Sequence, residues 1–237
     1  MNIKSFLASF NIHVAQTSTA EKLRSGLAGG IAMLLLMLAL HHLPQGAHSL
    51  FIVASMAASA TLLYATPHSP LAQPWNLVGG HFVSALAGLL CSLLIPEPTL
   101  AAGAAVGSAI LLMEFLRCLH PPSAATALMM VLGNSQFHAM GWQWAIYIVA
   151  INAGTSLLLA LVINNMLPGR HYPMHALPEQ TPPKPAPFIS LEQTDLEWAL
   201  KQLDSMIDVS EEDLAEIYKL ALQHAQTRTE GALVNRT

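Results

Sequence analysis

The residues best equipped for chemistry in this sequence sit in one short run, His120-Pro121-Pro122-Ser123-Ala124-Ala125-Thr126. Proline suits the first turn of a helix, where its missing N–H costs nothing, so Pro122 reads as a helix start. A helix start gathers unpaired N–H donors and a partial positive charge. Inside a membrane protein those donors, with the Ser123 and Thr126 hydroxyls, would hold a small anion without any formal charge. Ala124 and Ala125 would leave room for it. His120 would add a hydrogen bond or a titratable proton. The competing reading is that Pro121 and Pro122 only enforce a turn between packed helices, with His120 bonded to a backbone carbonyl.

Glu114, Arg117 and His120 are three residues apart and share one helix face if the helix stays regular that far. A charge in lipid is expensive and should be paired, so Glu114 and Arg117 are either a structural ion pair near the interface or part of an ion path. His81, on the preceding apolar stretch, is either a satisfied interhelical hydrogen bond or a member of the same site. His41, His42 and His48 are read as interfacial, with no assigned role. The spacing of His68, His81 and His120 matches no HxxxH, HExxH or carboxylate-rich pattern, so neither a metal nor a cofactor is expected. No GxSxG or Ser-x-x-Lys signal supports a catalytic serine, so an enzyme is not expected. Cys91 and Cys118 fall in apolar segments without metal or disulfide-scaffold spacing and read as packing residues.

These side chains must be positioned by elements that are not soluble ones. Of 237 residues, 53% are hydrophobic and 10% charged, against roughly a quarter charged in an ordinary soluble domain. Between Ser25 and Gly169 the only charged side chains are Glu97, Glu114 and Arg117. That stretch cannot make a soluble surface and implies an all-α, polytopic membrane helix bundle. There is no basic footprint for nucleic acid. Lys22 and Arg24 precede an apolar run with no small-residue cleavage site, so the first helix is expected to be retained.

The apolar stretches are Gly26–Leu43, Leu50–Thr66, Trp75–Ile95, Thr99–Leu119, Ser123–Leu132 and Trp144–Leu167, with 133–141 as a polar loop. Ser123–Leu132 is about 15 Å long as a helix, too short to span alone. Small residues recur on the third and fourth stretches, from Gly79 to Gly88 and from Ala101 to Gly107, the pattern of closely packed membrane helices. Trp142 and Trp144 mark an interface. Lys4, Lys22 and Arg24 before the first helix and Arg170 after the last put both termini in the cytoplasm of a bacterial inner membrane. The number of crossings is then even. Six crossings fit, and so do four with Leu50–Thr66 and Ser123–Leu132 as re-entrant pieces.

Ser59-Ala60-Thr61-Leu62-Leu63 and Ala124-Ala125-Thr126-Ala127-Leu128 occupy equivalent places between two long helices. The chain is therefore either two inverted copies of a three-segment unit, as in many transporters, or a chance recurrence of small apolar residues. Pro178–Pro187 reads as an extended spacer. Thr194-Asp195-Leu196-Glu197 and Ser210-Glu211-Glu212-Asp213 read as capping boxes opening two amphipathic helices. The expected organisation is an N-terminal segment 1–24, a transmembrane domain 25–168, a linker 169–189 and an acidic helical tail 190–237.

Two longer motifs carry a resemblance. Thr66-Pro67-His68-Ser69-Pro70-Leu71-Ala72-Gln73-Pro74-Trp75-Asn76 with Gly79-Gly80-His81, and Leu116-Arg117-Cys118-Leu119-His120-Pro121-Pro122-Ser123-Ala124-Ala125-Thr126-Ala127-Leu128, together resemble the HPP family of integral membrane proteins. The resemblance covers roughly residues 25 to 167. It implies a multi-helix membrane domain, and in some plant and cyanobacterial members a link to nitrite transport. The residues it singles out are Ser69, Pro70, Gln73, Pro74, Asn76, Gly80 and His81, then His120, Pro121, Pro122 and Thr126. The chain departs from many relatives in having Ser123-Ala124 where Ala-Gly is common, Trp75 where a basic residue is common, and Met56-Ala57-Ala58 where a Pro-Pro turn is usual.

The expected function is a transporter or channel for a small inorganic anion, nitrite by resemblance. The alternative is a membrane-anchored assembly or regulatory subunit acting through its acidic tail. Expected partners are the lipid bilayer, the anion and, as an open alternative, other copies of the chain in a homo-oligomer.

Overall fold

The computed structural model describes residues 18–41 and 50–174. The acidic tail and most of the linker lie outside the described residues. Residues Ala20–Ala176 make one compact unit. Its helices are α1 (Thr19–His41), α2 (Leu50–Ala65), α3 (Pro74–Leu94), α4 (Pro98–Phe115), α5 (Ser123–Leu132), α6 (Asn134–Met140) and α7 (Trp142–Met166), with a 3-10 turn at Pro70–Ala72 between α2 and α3. The protein is an all-helical membrane bundle. Of its described helices, α1, α3, α4 and α7 are long and apolar enough to cross a bilayer.

Helix boundaries follow local chemistry. α3 and α4 each begin on a proline, Pro74 and Pro98, whose absent N–H is no loss in the first turn. The Glu97 carboxylate caps α4, accepting from the backbone N–H groups of Thr99 (3.1 Å) and Leu100 (2.6 Å). Those bonds stabilise the carboxylate and hold its pKa below the usual carboxylate range. α1 starts earlier than the apolar run suggests and takes in Glu21, Lys22 and Arg24. Residues 134–140, expected as a loop, form the helix α6, because the buried Phe137 anchors one face of an otherwise polar segment.

The hydrogen-bonded ends show the course of the chain. Arg170, just past α7, donates through Nε to Glu21 near the start of α1 at 2.8 Å. These ends define one face of the bundle, here termed the near face. Tyr172 Oη donates to the Ala72 carbonyl at 2.8 Å, which puts the α2–α3 connection at the same end. Trp75 Nε1 donates to the Leu116 carbonyl at 3.1 Å, so α4 also ends there. At the opposite end Asn134 reaches the Ser92 carbonyl, late in α3. The core agrees: Ala28 and Ala32 of α1 cluster with Leu63, Tyr64, Ala160 and Tyr172, whereas Leu36 and Leu40 cluster with Met56, Phe137, Ala145 and Ile148. The segments therefore alternate in direction, with α2 and α5 as short members between long ones. The triplet α1–α2–α3 runs opposite to the triplet α4–α5–α7, the arrangement the inverted-repeat reading requires.

Outward leucines on α1, Leu23, Leu27, Leu34 and Leu38, are each more than half exposed and make a face for lipid. Packing is uneven inside. α3 and α5 touch through backbone, since a Cβ added at Gly88 would lie 2.3 Å from the Ala127 carbonyl oxygen, and α3 meets the connection before α5 as closely, since one at Gly80 would lie 2.8 Å from His120 Cβ. Only glycine allows that approach. The seam between α1 and α2 is looser, with a cleft of about 330 Å³ lined by Gly26, Gly29, Gly30, Ala57, Ala60 and Thr61.

Candidate functional site

The chain between α4 and α5 determines the site. α4 ends in a Schellman-type reversal, in which Cys118 N–H donates to the Met113 carbonyl and Arg117 N–H to that of Glu114. The residue at the turn is Arg117, at φ 53°, in the left-handed region that favours glycine. Residues after it leave helical geometry until α5 begins at Ser123. Non-helical backbone is tolerated at membrane depth only where protein buries it or it lines a cavity. Here the first motif holds it: Asn76 Nδ2 donates to the Leu119 carbonyl at 2.7 Å, and Trp75 holds Leu116. Gln73 braces the α2–α3 connection itself, with Nε2 donating to the carbonyls of Pro67 (3.1 Å) and Ser69 (2.8 Å). Ser69 Oγ accepts from Leu71 N–H and shapes the 3-10 turn that starts at Pro70.

The two motifs meet through His120 and His81. His120 Nδ1 is 2.8 Å from the Leu71 carbonyl, which can only accept, so this nitrogen carries a hydrogen. His120 Nε2 lies 2.9 Å from Ser59 Oγ on α2, and the same hydroxyl lies 3.0 Å from His81 Nε2. His81 Nδ1 is 2.8 Å from Thr126 Oγ1, which is 2.8 Å from Ser55 Oγ. Ser55 in turn donates to the Pro122 carbonyl at 3.1 Å. The two imidazole rings stand edge to face with centroids 5.2 Å apart. Ser59, His81, His120, Ser123 and Thr126 are completely buried, and Ser55 nearly so. His81 is seven residues into α3, about 10 Å from the near face at 1.5 Å per residue.

The structure thus brings together His120, His81 and Thr126 of the residues singled out by sequence. Pro121 and Pro122 set the turn, and Pro122 lends its carbonyl. Ser123 Oγ donates to the His120 carbonyl at 2.6 Å, with Met113 Sδ at 3.0 Å. The first amides of α5 are turned inward on their own chain: Ser123, Ala124 and Ala125 N–H donate to the carbonyls of His120, Pro121 and Pro122. Asn76 and Gln73 hold backbone rather than face the imidazoles.

Glu114 and Arg117 are not with them. The expectation of one face shared by Glu114, Arg117 and His120 is corrected, because α4 ends at Phe115 and the left-handed Arg117 turns the chain away. Both charged side chains are exposed, and among the described residues no ion pair joins them.

Sequence reasoning missed Ser55 and Ser59. Their signal was available: two serines four apart on one face of a short apolar helix. It also missed the buried pair of Glu21 and Arg170, which Ser25 and Asn164 complete with Oγ and Oδ1 at 2.8 and 3.1 Å. Among the described residues no three His, Cys, Asp or Glu side chains converge as a metal centre would need.

Comparison with known proteins gives a family. The model of the HPP transmembrane region matches residues 14–173. Two transmembrane proteins of Dictyostelium discoideum are each 38% identical, one over 157 residues (63% of this chain and 49% of the relative), the other over 147 residues (60% and 51%). The chain spans about half the length of these relatives. No solved structure matches it. With both motifs inside the matched region and joined by hydrogen bonds, the chain belongs to the HPP transmembrane family.

Proposed function

We propose that the protein is a transporter of a small inorganic anion, nitrite being the first candidate by family resemblance, rather than an enzyme or a passive anchor. The observation that carries this reading is the completely buried pair of imidazoles, His81 and His120, bridged by Ser59 within a bilayer-spanning bundle. Ionisable side chains in a membrane interior are expensive to maintain and characteristically mark ion pathways and proton relays. The hydroxyls and ring N–H groups would serve as donors to the anion. Amides of α5 do not carry the reading, being bonded to carbonyls one turn back. The inverted triplets supply two bundles that could rock around a site lying between them. The reading takes the near face as cytoplasmic, because Lys22, Arg24 and Arg170 lie at that end.

The test is flux through purified protein in liposomes holding an anion-sensitive dye. Nitrite, nitrate, formate and chloride are compared, with His120→Ala as control. Selective uptake lost in the variant supports the reading. No uptake of any anion by well-oriented protein overturns it, and would favour a membrane-anchored subunit acting through residues 190–237.

A further inference from the structure

Counting hydrogens along the buried network leads one step further. The network is a chain with an acceptor at each end: Leu71 carbonyl, His120, Ser59, His81, Thr126, Ser55, Pro122 carbonyl. Six contacts join these seven groups. Each contact needs one hydrogen. Two neutral imidazoles supply one each and three hydroxyls supply one each, which leaves one contact unfilled. The additional approach of Ser59 to the Ser55 carbonyl at 3.2 Å only adds an acceptor. A single further proton completes the chain. It can sit on His120, with Ser59 donating to His81, or on His81, with Ser59 donating to His120. The two forms differ in which Nε2 carries the proton and, with it, in which way the Ser59 hydroxyl points, while every other bond is kept.

We propose that this network is a one-proton site, and that the protein moves its anion together with a proton. The proposal rests on the anion reading above and specifies its coupling ion. Loading is simple protonation: a proton from water takes the lone pair of one Nε2, and it leaves from an Nε2 on the other side of the cycle, with no change in oxidation state.

Surroundings make the pairing with an anion necessary. α2, α3, α5, the 3-10 turn and the connection before α5 contribute hydroxyls, carbonyls and the two imidazoles to the network. Met113 comes from α4. α7, packed on α2 and α3, presents Asn152 and Ser156 to the interior. The further titratable groups on these segments are the buried Cys118 thiol, against Gly79, the Tyr64 ring, against Gly29 of α1, and the half-buried Cys91 thiol, beside Ser108, while Glu114, Arg117 and Tyr147 are exposed on the outside of the bundle. Among the described residues, no carboxylate, lysine or arginine is bonded to a member of the network. An imidazolium there has no counter-charge of the protein's own, and an unpaired buried charge is far more costly than one unfilled hydrogen bond. An arriving anion supplies the missing charge. Proton and anion therefore favour each other's binding, and by linkage the effect is reciprocal.

The experiment measures protons per anion in proteoliposomes with nitrite as probe, an internal pH dye, and the membrane potential set by potassium and valinomycin. Empty vesicles give the background from nitrous acid crossing lipid unaided. The expected result is protein-dependent nitrite uptake with one proton per nitrite, unaffected by imposed potential. Nitrite added to detergent-solubilised protein in weak buffer should likewise draw one proton per chain from solution, and Ser59→Ala should reduce that uptake at least tenfold. Protein-dependent nitrite uptake that follows the potential and carries no proton overturns the proposal and leaves the anion reading standing. Absence of any protein-dependent nitrite uptake overturns both.

Discussion

Two buried polar regions lie within the same bundle and are built on opposite plans. At the near face, Glu21 and Arg170 form a charged clasp closed by Ser25 and Asn164. About 10 Å deeper by helix rise, His81, His120, Ser55, Ser59 and Thr126 form a network without formal charge. In the clasp Arg170 donates to fixed acceptors on Glu21, Ser25 and Asn164, and Asn164 is itself held by the Leu63 and Ala160 carbonyls. In the network the Ser59 hydroxyl can point to either ring, and the number of hydrogens falls one short of the number of contacts. Permanent charge locks helix ends together, while uncharged groups with spare capacity can take something up and release it.

Removing one partner of the clasp is the harshest way to break that comparison. Arg170→Ala leaves the buried Glu21 carboxylate with the partly exposed Arg24, at 3.6 Å, in place of its close guanidinium partner, and should cost up to about 3 kcal/mol. Thermal unfolding in detergent should show a large fall in Tm, with little protein surviving extraction; a Tm near wild type would mean the clasp is not structural. The network should behave in the opposite way. Ser59→Ala removes neutral hydrogen bonds, each worth about 1 kcal/mol, so Tm should move modestly while anion flux is lost. Preserved flux would make the network merely structural.

A third variant sharpens the contrast by gaining stability. Arg117 occupies a left-handed position where a non-glycine residue costs roughly 1–2 kcal/mol, and its side chain is exposed with no ion-pair partner among the described residues. Arg117→Gly should therefore raise stability by about 1 kcal/mol, and unchanged flux in that variant would remove Arg117 from the transport path.

The smallest effect concerns pH. His68, beside the clasp, is held below the ordinary histidine value of 6.5 by partial burial first and then by the charges of Arg170 and His171, with Glu21 opposing. Its folded form resists protonation more than its unfolded form, so the stability it contributes is fully present above 6.5 and is lost as pH falls below that value. His68→Gln should flatten the fall in Tm on the acid side. A slope identical to wild type would show that other groups set it.

The long spans were legible because bilayer helices are written in uninterrupted hydrophobicity, and Pro74 and Pro98 fix two of the starts. The end of α4 was not legible. Nothing in Leu116-Arg117-Cys118 looks like a helix terminus, since the residue that turns left-handed is an arginine rather than a glycine. The network was half legible for a related reason. His81, His120 and Thr126 stand out by type, whereas serines are common in membrane helices and Ser55 and Ser59 acquire meaning only when α2 runs antiparallel to α5, bringing Ser59 to His120 and Ser55 to Pro122. The clasp joins residues 149 positions apart and depends wholly on tertiary contact.

That separation also matters during biosynthesis. At about 5–20 residues per second, Arg170 leaves the ribosome roughly 7–30 s after Glu21. For that interval the carboxylate at the start of α1 meets only the guanidinium of Arg24 on its own helix, and nothing ties that helix to the last one. The bond closes only when the last span has been delivered to the same side of the membrane. It thus reports that the bundle has been threaded to completion, and a chain halted before α7 would leave the start of α1 untied where quality-control proteases could find it.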